Sequence, residues 1–137
     1  MILTQQNLTP EALLRFFEKH FPEKEWFYLD LYSDEETTHH LRNNSMGFYT
    51  VATGVKSYPL EIGLTETDED IVGEYQVKIA KSLSEKYQMK TVIDFTHPKK
   101  PDDPYYSLLF DAGHCFLVDD SDWEETGEFV VLEPWAG

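Results

Sequence analysis

Glu25-Trp26-Phe27-Tyr28-Leu29-Asp30-Leu31-Tyr32 alternates with a period of two, the repeat by which β-strand side chains point to opposite faces. Phe27, Leu29 and Leu31 fall on one face and are expected to reach a core. Trp26, Tyr28, Asp30 and Tyr32 fall on the other, aromatic rings around a carboxylate. Two more β-rich runs follow at residues 48–53 and 58–64, with Gly54 near the turn between them. Three successive strands with no helix between them are not the βα alternation of nucleotide-binding folds.

Helical patterns flank this block. Thr9 is a good N-cap, Pro10 suits the first helical position, and Glu11 complements the positive end of the helix dipole. Leu14, Phe17 and Phe21 recur at helical spacing, and Pro22 ends the run. A second helix is expected over residues 67–87, opened by Thr67 and Asp70, with Val72, Tyr75, Ile79 and Leu83 as its apolar stripe. The segment 33–45 between the first strands is polar and reads as a loop. Beyond the second helix, strands are expected at 91–96, 105–110, 114–118 and 128–132, with Ala112-Gly113 as a turn. The order is α-β-β-β-α-β-β-β-β. It describes one α+β domain over residues 1–137, with two helices on one face of a mainly antiparallel sheet of six to seven strands.

Composition narrows the function. Of 137 residues, 20 are Phe, Trp or Tyr, enough aromatic surface to build a core and unlike an acidic disordered tail. Yet 26 acids face 11 lysines and arginines, a net charge of −15. Such a field repels nucleic acid and anionic membranes and attracts basic partners. From Pro101 onward there is no Lys or Arg, while ten acids occur there: Asp102, Asp103, Asp111, Asp119, Asp120, Asp122, Glu124, Glu125, Glu128 and Glu133. That stretch cannot neutralise itself locally.

The usual chemical signatures are missing. No glycine-rich phosphate loop occurs, and Lys99-Lys100 is the only short basic cluster, so neither nucleotide nor direct nucleic-acid binding is expected. His39, His40, His97 and His114 lack the spacing of metal ligands. Asp119-Asp120-Ser121-Asp122 lacks the sixth-position Gly and the closing Glu of a calcium loop. No metal or cofactor is expected. Cys115 is the only cysteine, which excludes an internal disulfide and fits a reducing compartment. Without a leader-like start or a membrane-length apolar run, the expected location is cytoplasmic.

His114 and Cys115 are adjacent on an expected strand, so their side chains should diverge. Gly113-His114-Cys115-Phe116-Leu117-Val118, followed by Phe129-Val130-Val131-Leu132-Glu133-Pro134-Trp135, resembles the closing strands of papain-like and transglutaminase-like domains. The resemblance implies His114 as a base and Glu133 as its orienting acid. It covers about a sixth of the chain, and no cysteine precedes His114 to act as the nucleophile.

What remains is aromatic rings among acids. Trp26, Tyr28, Asp30 and Tyr32 form one such group, with Trp26 and Tyr28 fitting core or interface equally well. Asp119, Asp120, Asp122, Trp123, Glu124 and Glu125 form the other, and burying Trp123 deeply would drag carboxylates with it. Aromatics anchor interfaces and surrounding acids select a basic surface. The expected function is therefore non-enzymatic: an acidic binding protein that inhibits a basic protein by occluding it. In size, acidity and exposed aromatics the chain is similar to bacterial immunity proteins, which neutralise a nuclease toxin; the expected partner is such a toxin or another nucleic-acid-binding enzyme. An acidic secretion chaperone is the alternative, and an enzyme using His114 and Glu133 ranks below it.

Overall fold

Helix α1 (Pro10–His20) begins where the sequence places it. The Thr9 side chain accepts a hydrogen bond from the Ala12 N–H at 3.1 Å, Pro10 occupies the first turn, and Phe21 caps the far end before Pro22. The computed structural model describes residues 1–28, 46–55, 57–65 and 69–135. Among them are helix α2 (Glu69–Tyr87) and a single turn of helix, α3 (Trp123–Thr126). The strands are β1 (Ile2–Thr4), β2 (Glu25–Tyr28), β3 (Met46–Val55), β4 (Tyr58–Thr65), β5 (Lys90–Asp94), β6 (Tyr106–Asp111), β7 (His114–Asp119) and β8 (Val130–Pro134).

The described strands form one sheet in the order β2-β3-β4-β1-β5-β6-β7-β8. Only β2 and β3 run parallel; every other neighbour is antiparallel. The α+β class is as expected, with one more strand than the sequence reading. The addition is β1, which lies at the centre between β4 and β5. It is buried throughout, with Ile2 in the core beneath the helices and Leu3 in a second cluster on the opposite face. A three-residue strand covered on both sides has no alternation to reveal it.

Both long helices pack on one face. Leu13, Phe16 and Phe17 of α1 and Ile79, Ala80 and Leu83 of α2 meet Ile62, Ile93, Leu108, Phe110 and Leu117 of the sheet. The buried side of α1 is centred on Leu13, Phe16 and Phe17, whereas Leu14 is only partly buried. Tyr49 ties β3 to the start of α1 by donating its hydroxyl to the Pro10 carbonyl at 3.0 Å. Burial, reinforced by Glu11, pushes that phenol up to about 12. Thr91 donates to the Ala80 carbonyl at 2.8 Å, fastening β5 to α2.

Strand β2 corrects the reading of its faces. Trp26 is core: its ring stacks on Phe17 at 4.4 Å and its Nε1 donates to the Phe21 carbonyl at 2.8 Å. Gly47 lies opposite it on β3, and a Cβ there would come within 2.5 Å of the indole. Phe27, expected in the core, is only partly buried. Leu29, Asp30, Leu31 and Tyr32, the polar segment 33–45 and Thr67 lie outside the described residues.

The second face has a smaller core of Leu3, Tyr58, Val92, Leu109 and Val118, against which Phe116, Trp123 and Phe129 pack. The connection from β7 to β8, which includes α3, carries the last two of these across that face.

Candidate acidic binding surface

Antiparallel register gathers carboxylates at one end of the sheet. Asp94, at the end of β5, lies opposite Ser107, and Tyr106, at the start of β6, lies opposite Asp119. The chain between β5 and β6 returns to this end through successive turns, with Lys100 N–H on the His97 carbonyl and Asp103 N–H on the Lys100 carbonyl, both at 3.1 Å. The Asp103 carboxylate then accepts from the Tyr105 N–H at 3.0 Å. The Tyr105 carbonyl in turn accepts from the Asp120 N–H at 3.0 Å, joining this loop to the segment after β7.

A recess of about 340 Å3 results, lined by Asp94, Asp102, Asp103 and Asp120 with Phe95 and Tyr106 at its side. Among the described residues, no Lys or Arg lines it. Lys100 stands nearby, its Nζ 5.9 Å from the Tyr106 ring centre. Asp120 is the most constrained of these acids. Burial raises its titration above the ordinary aspartate range, and the charges of Asp119, Asp94 and Asp103 add to that. A hydrogen bond from the Ser107 hydroxyl, 2.6 Å from Oδ2, opposes the shift. Asp119 moves the other way because Ser121 hydrogen-bonds to its carboxylate, the backbone N–H at 2.8 Å.

The acidic turn continues into α3. The Asp122 carbonyl accepts from the Thr126 N–H at 2.9 Å, and Gly127 ends the turn at φ 74°, donating to the Trp123 carbonyl at 2.8 Å. This geometry separates the indole from its acidic neighbours. Trp123 turns inward, stacking on Phe129 at 5.5 Å and packing on the second core, while Asp122 and Glu125 are exposed. The expected cost of dragging carboxylates inside does not arise. The indole Nε1 is itself enclosed and has no hydrogen-bond partner among the described residues. The Glu124 side chain lies outside what the structure describes.

The described members of the two aromatic-acidic groups read from the sequence are not brought together. Trp26 is interior, and Tyr28, 40% exposed, sits on β2 at the opposite edge of the sheet from β8. Six strand spacings separate β2 from β7, roughly 29 Å at the usual interval. Sequence reasoning overlooked Tyr105. It is 53% exposed beside Asp103 and Asp120, so the aromatic ring most open to solvent at the acidic end is Tyr105, not Trp123. The signal was Asp102-Asp103-Pro104-Tyr105, a ring placed directly after an acidic turn.

The other chemical candidates disperse. His114 is exposed opposite Asp111, while Cys115 turns to the helix-covered face opposite Phe110, as adjacency on a strand requires. Burial pushes the Cys115 thiol up, which favours the protonated form. Glu133 pairs with Leu117 on that same helix-covered face and therefore lies across the sheet from His114. His114 and Glu133 therefore do not form a base–acid pair of the papain-like kind. His97 joins an aromatic group with Tyr106 at 5.0 Å and Trp135 at 5.4 Å. His39 and His40 lie outside the described residues, among which no group of three or more His, Cys, Asp or Glu is placed to hold a metal. No described helix is long and apolar enough to cross a membrane. Compared with known proteins, the chain matches no family model, no curated protein and no solved structure.

Proposed function

We propose that this is an acidic binding protein that inhibits a basic protein by covering its working surface, as immunity proteins cover a nuclease toxin. The observation that carries the reading is the recess lined by Asp94, Asp102, Asp103 and Asp120, where burial and like charge raise Asp120. Holding carboxylates this close costs free energy in the isolated protein. A lysine or arginine from a partner would relieve it, converting mutual repulsion into charge-assisted hydrogen bonds. Tyr105 at the rim supplies the kind of amphipathic ring that interfaces use as an anchor. A nuclease or another nucleic-acid-binding enzyme is the favoured class of partner, because its substrate-binding surface is already built to receive a row of negative charge.

The test is affinity capture from the protein's own source, beside a variant carrying Asp102→Asn, Asp103→Asn, Asp120→Asn and Asp122→Asn. The expected partner is a basic enzyme, retained at low salt, released by salt, lost by the variant and inhibited at one-to-one stoichiometry. Capture of an acidic or neutral protein equally by both forms would contradict the proposal.

A further inference from the structure

Strand β8 ends the sheet, and its outer edge has no strand partner among the described residues. Exposed edges are ordinarily blunted by lysine, by an inward charge, by proline or by a bulge, because unpaired backbone groups invite another strand. Here the protection is partial. Pro134 closes the C-terminal end, and Leu132 is an extra residue between Val131, opposite Val118, and Glu133, opposite Leu117. Ahead of it the edge carries consecutive apolar side chains in solvent: Val130 is 55%, Val131 54% and Leu132 48% exposed. β-Branched and aliphatic residues in extended backbone, with no lysine among them, form a receptive edge.

We infer that this edge docks an extended segment of a basic protein, which adds to the sheet as a further strand beside β8. The inference rests on the proposed function for the sign of the partner's charge and goes beyond it in naming the docking element. Charge selects the occupant. Glu128 is exposed just before β8, Glu133 lies within it, and no Lys or Arg follows Pro101. A second copy would bring another −15 against the same acidic region and could offer no cation from its own β8. Val131 shares the face of Val118, and Glu133 that of Leu117. An added strand that alternates apolar and basic residues would therefore set the apolar ones beside Val131 and the basic ones beside Glu133. Backbone hydrogen bonds would hold the segment, and the alternation would select it.

The test uses isotopically labelled whole protein and three eight-residue peptides: alternating Lys and Val, alternating Glu and Val, and the Lys-Val peptide N-methylated at every second amide. Two variants accompany it. V131K/L132K blocks the edge, and N7K/A52K adds the same charge at exposed sites beside the β3–β4 side of the sheet. The expected result is binding of the Lys-Val peptide alone, with new protection from hydrogen exchange at Val130, Val131 and Leu132. Binding should weaken about tenfold or more on N-methylation or in V131K/L132K, and much less in N7K/A52K, with both variants melting like the parent. Binding of the Lys-Val peptide at the acidic recess, with β8 unprotected, would overturn the docking edge and leave the basic partner standing. Absence of binding to any basic peptide at low salt would overturn both. A dimer of the protein alone that V131K/L132K dissociates would overturn the assignment of the occupant.

Discussion

At the scale of single residues, Ala112 and Trp123 each carry a local cost that a substitution can test. Ala112 has φ 47° beside Gly113 at φ 90°, giving the positive pair of a two-residue hairpin between Asp111 and His114. The turn was legible in the Ala-Gly pair, but its left-handed first position suits asparagine better. Ala112→Asn should stabilise the protein by about 0.5–1 kcal/mol in urea denaturation; a loss would contradict the turn geometry. Trp123 encloses an indole N–H that has no partner among the described residues. Trp123→Phe should therefore cost less than about 1 kcal/mol, because an unsatisfied donor is removed with the ring edge. Trp123→Ala should cost about 3 kcal/mol or more by uncovering the second core. Equal, small effects from both would place the ring outside the fold.

Asp120 connects residue chemistry to pH. Its folded form titrates above the ordinary aspartate range, chiefly through burial, so its charged state is disfavoured by folding. That penalty is absent when the pH lies below the unfolded value, grows as the pH rises through the folded value, and is complete above it. Asp120→Asn, which keeps an acceptor for the Ser107 hydroxyl, should melt at the same or a higher temperature at pH 7. The difference should close by about pH 3, below the ordinary aspartate value. A lower melting temperature at pH 7 would mean that the ionised Ser107–Asp120 hydrogen bond outweighs the cost of burial and of the neighbouring carboxylates.

At the scale of elements, legibility followed local chemistry and failed where a neighbour decided the outcome. Thr9, Pro10 and Pro22 carry the start and stop of α1 in their own backbone preferences, and both ends are where these residues put them. Strand β1 carries nothing of the kind. Ile2 and Leu3 are buried on opposite faces, so its apolar residues are consecutive and resemble any short unstructured start. The inner face of β2 was equally beyond local reading. Phe27 and Trp26 are both apolar, and the choice between them is made by Phe17, Phe21 and Gly47, which build the slot that only the indole fills. Trp26→Ala should therefore destabilise the protein by about 3–5 kcal/mol, read by urea denaturation. A cost below about 1 kcal/mol would return that ring to the surface, since truncating an exposed side chain costs little.

At the scale of the whole molecule, the sequence carried the sign and position of the charge but not its shape. The absence of Lys and Arg after Pro101 is visible in the chain. That Asp94, from an earlier strand, joins Asp102, Asp103 and Asp120 in one recess depends on the pairing of β5, β6 and β7. No spacing rule predicts such long-range pairing. Among the described residues, the fold also separates members of what the sequence treated as two similar groups: one aromatic-acidic run supplies a core tryptophan at the β2 edge, the other a cap over the opposite face of the sheet. The charge field itself belongs to the whole molecule, and its effect is largest on the rate of encounter.

The most direct measurement is the association rate of the captured partner by stopped flow, across ionic strength, for the parent and for a protein with Asp120, Asp122, Glu124 and Glu125 neutralised. The account predicts a parent rate that falls steeply with salt and a variant about tenfold or more slower at low salt, with the two converging at high salt. Equal rates for parent and variant at low salt would contradict it.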